Sequence, residues 1–371
     1  MKPIPRGPRG AQASATMSRL RPRAQFVLVL VALLIAELSG AAAYVALRHD
    51  EGRPVASEPA SNPDSKYRPA PKPTPVQRVR PPPVKKPVPV VSPPRAKPTP
   101  KPTPRKPVVT LAALRGLGTW VDLYDYGKPQ NRPVRTLVAQ AAAQNVATIW
   151  VETSRYNTAD IAYPAALGEL MDASAARGIR VIAWVLPEFR SVSADLKKAK
   201  AAAAFRSPGG RRFAALALDI EVSSGAKAPE RTSRLTSLMR AVYGHVGMPV
   251  VNITPPPVGF QRNPTYWPGF PWREVGAYGD AIATMGYWSY RDSDPGPYTA
   301  DAIRQTRQLV GRSSYPVHVI GGLAAETSVS GAAAFCAAAR SGRALGASLY
   351  DLTSMPASLW KPMQACRQVG H

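Results

Sequence analysis

The chain of 371 residues carries only two cysteines and four histidines. So few thiols and imidazoles exclude a cysteine-rich zinc module or an iron–sulfur cluster, and they argue against a zinc hydrolase. Acids are also scarce: 23 Asp and Glu stand against 48 Lys and Arg, leaving a formal net charge of +25. No glycine-rich phosphate loop follows the first strand-like run, which argues against an open dinucleotide-binding sheet.

The residues that are plentiful are unevenly placed. Residues 1–25 contain Lys2, Arg6, Arg9, Arg19, Arg21 and Arg23 and no acid. An apolar run, Phe26–Leu47, follows and is long enough to span a bilayer as a helix. A basic flank of this kind stays in the cytoplasm, so the rest of the chain is expected outside the cell membrane, with membrane lipid as a partner. The small residues of "LSGAAA" leave a cleaved signal peptide as the alternative. Glu37 is the single charge within the span.

Residues 48–107 hold much of the chain's proline, interleaved with Lys and Arg. Proline lacks an N–H and fixes φ, so this stretch favours extended polyproline II and builds no core. At about 3.1 Å per residue it reaches on the order of 150 Å. Its cations suit anionic wall polymers; nucleic acid is not expected on that side of a membrane.

From residue 108 to 371 the pattern changes again. Eight strand-like runs, among them "VATIWVETSR", "RVIAWVLPEF" and "FAALALDIEV", recur about every thirty residues between alanine-rich helical segments. Eight strand–helix units predict a closed (β/α)₈ barrel. Cys336 and Cys366 fall in consecutive outer helical stretches and could form one disulfide; two separate buried thiols are the alternative.

In such barrels the active site lies at the carboxyl ends of the strands. Those ends carry Asp122 and Asp125, Glu152 and Arg155, Glu188, Asp219 and Glu221, Asn252, then Tyr287, Trp288, Tyr290 and Arg291, and finally Tyr350 and Asp351. The amino ends of the same strands are mostly Gly, Ala, Val or Pro. Carboxylates and aromatic rings in one bowl suit glycoside hydrolysis, which needs a proton donor, a group that stabilises an oxocarbenium-like centre, and flat faces for sugars. Clustered acids raise one another's pKa, and Glu221 is the expected donor with Asp219 as its partner. Glu152, Arg155, Glu188, Asn252, Trp288, Tyr290, Arg291 and Asp351 are expected to contact substrate, and no cofactor or metal is required.

The "DIE" of strand four resembles the Asp-x-Glu signature of family 18 chitinases and family 25 lysozymes, both (β/α)₈ glycosidases of N-acetylated sugars. The first resemblance implies Glu221 as acid and Asp219 as the residue that positions an acetamido group. Met285 and Tyr287 in "MGYWSY" match the Met-x-Tyr of family 18, which gives Tyr287 a catalytic role, and Asp122 stands for the strand-one Asp of family 25. Ala214 and Ala217 occupy positions where the longer family 18 motif has aspartates. The stretches "GTWVDLYD", "ALDIE" and "PGFPWR" are also similar to a group of actinobacterial membrane-tethered glycoside hydrolases.

Two other readings compete. Asp122, Asp219, Glu221 and Asp351 could bind Mg²⁺ or Mn²⁺ through oxygen, or the bowl could hold glycan without cutting it. "PTYWPGFPWREVG" is either a sugar platform or a self-packed lid, and "NITPPPVGF" is read as a rigid loop. His318 reads as a satisfied core histidine, and Glu326 lies past the end of strand seven.

Overall fold

The computed structural model describes residues 110–221, 227–291 and 293–371. The expected basic tail, the apolar span at 26–47 and the proline-rich segment lie outside these residues. Among the described residues no helix is long and apolar enough to cross a membrane.

Eight parallel strands close a barrel in the order of the chain. They are β1 Gly116–Val121, β2 Thr148–Arg155, β3 Arg180–Leu186, β4 Ala215–Asp219, β5 Val250–Thr254, β6 Ala281–Met285, β7 Val317–Leu323 and β8 Gly346–Tyr350. Around them run α1 Val134–Ala143, α2 Pro164–Ala175, α3 Val192–Ala204, α4 Ala228–His245, α5 Pro257–Arg262, α6 Trp272–Ala277, α7 Pro295–Val310, α8 Val329–Ser341 and α9 Trp360–Met363. The "NITPPPVGF" stretch is not all loop. Pro257 opens α5, where a missing N–H costs nothing at the first helical position.

Local chemistry sets where the larger helices begin and end. Ser191 and Ser328 cap α3 and α8 by accepting from Ala194 N and Gly331 N, and Asp294 does the same for α7. Gly311 ends α7 at φ 78°, a left-handed conformation that glycine adopts without a steric penalty. The outer core lies between strands and helices, with Leu137, Leu167, Leu170, Leu235 and Phe335 fully buried.

Alternation along the strands gives the barrel interior a distinct population. Trp120, Trp150 and Trp184 come from β1–β3, and Ala215, Ala217, Ala281 and Ala283 face them from β4 and β6. Large rings set against methyl groups suit the close packing of a barrel interior. Trp120 stacks on Trp150 with centroids 4.7 Å apart and meets Trp184 edge-on at 6.1 Å. Gly346 makes room at the narrow end, since a Cβ there would lie 1.9 Å from the Leu114 carbonyl oxygen.

His318 joins this interior as a satisfied group. Its Nδ1 lies 3.1 Å from the Leu114 carbonyl, which can only accept, so Nδ1 carries the proton and Nε2 accepts from the Ser348 hydroxyl at 2.9 Å. The same hydroxyl accepts from the Trp120 indole at 2.8 Å. Burial lowers the pKa of His318 to about 4, so the ring stays neutral.

Cys336 in α8 is bonded to Cys366 near the C-terminus. Closing a loop with a sequence separation of 30 restricts the unfolded chain by roughly 3–4 kcal/mol on a loop-entropy estimate.

Candidate active site

Asp219 is the last residue of β4 and shares the inward pleat of Ala215 and Ala217. Glu221 lies two residues further on, just past the strand end. Inward aim deprives Asp219 of water: it is 7% exposed, and its Oδ1 has no hydrogen-bond partner among the described residues. Burial raises its pKa well above the carboxylate range, and the charges of Glu221 and Glu152 add to the effect. The acid form of Asp219 is thereby favoured, and Oδ1 is left without a partner among the described residues. Glu221 is more exposed, and its carbonyl accepts from the Tyr266 hydroxyl at 2.9 Å, which ties the strand end to the aromatic loop above it.

Glu152 and Arg155 meet because β2 is irregular. Residues three apart on a regular strand point to opposite faces, but the register with β3 shifts between Glu152 and Ser154. This bulge returns Arg155 to the side of Glu152. Arg155 Nε donates to Glu152 Oε1 at 2.7 Å, Nη2 donates to Oε2, and Leu123 N donates to Oε2 at 3.1 Å. The third Arg155 nitrogen, Nη1, donates to the Tyr124 hydroxyl at 2.7 Å, with the guanidinium 4.6 Å from that ring's centroid.

Glu152 has no exposed surface, and burial pushes its pKa up to about 7 against the pull of Arg155. Burial would lower Arg155, yet the bonds and charge of Glu152 hold it above its ordinary value. The bidentate geometry with a third donor is that of an ion pair, and Arg155 stays charged.

Asp122, Asp125 and Asp351 form a neighbouring group whose ligand oxygens lie within 4.8 Å of one another. These oxygens are engaged by the protein. Asp122 accepts from Tyr124 N at 2.6 Å and from the Tyr350 hydroxyl at 2.8 Å, and Asp125 accepts from Asp122 N at 3.0 Å. Thr353 Oγ1 lies 2.8 Å from Asp125 Oδ1 and 2.9 Å from Asp351 Oδ1, while Ser354 N donates to Asp351 at 2.7 Å. A hard cation would find oxygen donors here, but the set is not the Asp122, Asp219, Glu221 and Asp351 quartet of the competing metal reading. The Tyr350 phenol is raised far above its usual pKa by burial and by Asp122, so it remains a donor. Tyr287 lies edge-on to it, with centroids 6.5 Å apart.

Several expected contact residues sit elsewhere. Asn252 pairs in register with Leu218, not with Asp219, and therefore faces outward; its Nδ2 donates to the Val275 and Tyr278 carbonyls behind β5. Trp288 turns away from the mouth onto the backbone of Gly321 and Gly322 and packs 5.1 Å from Phe335. Glu188 pairs with exposed Arg190 at 3.0 Å. Arg291 donates to the Tyr287 carbonyl at 2.8 Å, and Tyr290 lies in the 3₁₀ turn Trp288–Arg291. Glu326 is exposed in the turn Ala324–Glu326.

The aromatic loop forms a self-packed lid. Phe260, Phe270 and Trp272 meet with centroids 4.7 to 5.5 Å apart, and Trp267 is buried against Phe189 and under the Arg231 guanidinium. Two features of the site had no counterpart in the sequence reading, the Tyr124–Arg155 contact and the tryptophan floor. The signal for the floor was present: Trp120, Trp150 and Trp184 each fall on the inward parity of their strand.

No protein-family model matches the sequence, and no curated protein matches it. Among solved structures, the chain is similar to the endo-1,4-β-D-mannanase of Thermotoga petrophila, at 11% identity and a TM-score of 0.50, over 64% of this chain and 88% of that one. It is similar to the PgaB glycoside hydrolase domain of Bordetella bronchiseptica at 11% identity and a TM-score of 0.50, over 68% and 99% of the two chains. A chitinase from Chromobacterium violaceum gives 14% identity and a TM-score of 0.48 over 68% and 99%. These neighbours are glycoside hydrolases, and what the likeness establishes at such identities is the shared barrel fold.

Proposed function

We propose that this protein is a membrane-anchored glycoside hydrolase acting outside the cytoplasm on a cell-wall or extracellular glycan, with N-acetylated sugar as the favoured class. The observation that carries the reading is the Asp219–Glu221 pair at the carboxyl end of β4. Asp219 is buried, raised in pKa and without a partner at Oδ1 among the described residues, while Glu221, nearer the open end, is less buried.

In this reading Glu221 protonates the leaving oxygen, and the proton held on Asp219 is donated either to Glu221 or to an acetamido group on the sugar. Tyr287, two residues past β6, and Tyr350, the last residue of β8, meet edge-on and are assigned in this reading to the sugar at the cleavage point, with Asp122 bonded to Tyr350. The topology rests on the apolar Phe26–Leu47 run behind a basic tail. The Cys336–Cys366 bond supports it, because structural disulfides persist in oxidising compartments.

The test is release of reducing ends from peptidoglycan, chitin and β-mannan by the full chain and by Glu221→Gln. A fall of roughly 10²-fold or more is expected for the amide, the usual scale for a general acid. Equal rates for the two proteins would remove Glu221 from this role.

A further inference from the structure

The end of the barrel opposite the carboxylates contains a cavity of about 460 Å³ beneath β7, β8 and β1. Four arginines line it, Arg115, Arg307, Arg340 and Arg343, together with His371, and no Asp or Glu side chain does. One of the four is a building element. Arg307 donates to the Tyr315, Gly342 and Arg343 carbonyls at 3.1, 2.7 and 2.6 Å, which fixes the loop that leads into β8.

Arg115, Arg340 and Arg343 are different. All three are exposed, and none makes an ion pair among the described residues. Arg340, in the last turn of α8, also offsets the negative end of that helix. That account does not extend to Arg115 or Arg343, which lie in the segments just before β1 and β8. Gathering guanidinium groups around one concavity raises the energy of the free protein. Burial and then the charge of Arg343 lower the pKa of Arg307. An anion entering the cavity would relieve that repulsion.

We infer that this cavity is a binding site for a phosphate group, held by Arg115, Arg340 and Arg343 over a floor set by Arg307. Planar guanidinium forks match the oxygens of a phosphate, and several forks can address its different faces. The volume admits the phosphate with part of whatever carries it. The site is remote from the Asp219–Glu221 pair and does not depend on how that pair works.

The test compares the full chain with Arg115→Gln/Arg340→Gln/Arg343→Gln. The basic segment 48–107 contributes equally to both proteins, so their difference isolates the cavity. Pyrophosphate is titrated calorimetrically, and so are short-chain phosphatidylglycerol and phosphatidylcholine in monomeric form, since the apolar run Phe26–Leu47 would carry both proteins onto any vesicle. The triple variant is expected to bind pyrophosphate at least about tenfold more weakly, as loss of charge-assisted bonds implies. A parallel loss with phosphatidylglycerol identifies a lipid headgroup as the source of the phosphate; a loss with pyrophosphate alone identifies a soluble or polymer-borne phosphate. Equal binding by the two proteins in both assays would overturn the proposal.

Discussion

The two ends of this barrel handle charge in opposite ways. At the carboxyl mouth the acids are buried and mostly engaged: Glu152 by Arg155, Asp122 by Tyr350, Asp125 and Asp351 by Thr353. At the amino end the guanidinium groups of Arg115, Arg340 and Arg343 stand in solvent around a cavity without a carboxylate side chain. Burial is the difference that matters. A buried charge is costly and little screened, so its partners fix its protonation and make it usable in chemistry. An exposed charge costs little to keep, so its natural task is to attract.

The largest effect expected from this contrast is on stability. Glu152→Gln leaves Arg155 charged and buried beside an amide that cannot pair with it, and loss of one partner of a buried pair costs about 3–5 kcal/mol. Arg340→Gln, a surface change, should stay within about 0.5 kcal/mol of the parent. Urea denaturation of both variants measures the gap. A small effect at Glu152 would show that the Arg155 pair is solvated after all and would erase the difference between the ends.

A smaller effect concerns pH. The folded chain holds the Asp219 proton at a pH where the unfolded chain, with a value near 3.9, has lost it. The folded state then binds more protons, so stability is greatest below the unfolded value and falls as pH rises towards the folded one. The group steepens the fall by at most about 1.4 kcal/mol per pH unit. Asp219→Asn mimics the neutral acid, so it should fold at least as well near pH 7 and show a shallower slope as pH rises above the unfolded value near 3.9. Its glycan cleavage should nevertheless drop, since an amide passes no proton to Glu221. An unchanged slope would mean that Asp219 is ionised throughout.

These contrasts show what the sequence could and could not disclose. Eight recurring strand runs were enough for the closed barrel, and the spacing of Asp219 and Glu221 left them close enough for the charge of Glu221 to act on Asp219. The same parity rule, followed from Leu218 into the register of β5, would have turned Asn252 outward; the register is a tertiary fact that one strand does not contain. Arg155 is the converse case, because its approach to Glu152 depends on a bulge that breaks parity. Trp288 was expected to contact substrate because it follows a strand end, and it is the bare backbone of Gly321 and Gly322, thirty-odd residues on, that gives it a berth in the outer layer. The basic cavity was illegible for a related reason. Arg115, Arg340 and Arg343 are far apart or unremarkable in the chain, and only closure of β8 onto β1 assembles them.

The smallest expected effect lies at that basic end and depends on salt. Arg343 lies close enough to Arg307 to lower its pKa, so in the free protein removing the Arg343 charge should relieve repulsion. Glutamine bears the left-handed backbone at position 343, φ 52°, no worse than arginine does, and the carbonyl that Arg307 binds is kept. Arg343→Gln should therefore be more stable than the parent by a few tenths of a kcal/mol near 10 mM salt, where screening reaches only beyond about 30 Å. The advantage should vanish towards 1 M, where the screening length is about 3 Å. Urea denaturation at the two salt concentrations reads the difference directly. A variant less stable than the parent at low salt would mean that Arg343 already has a carboxylate partner, and the cavity would lose its reason to hold a phosphate.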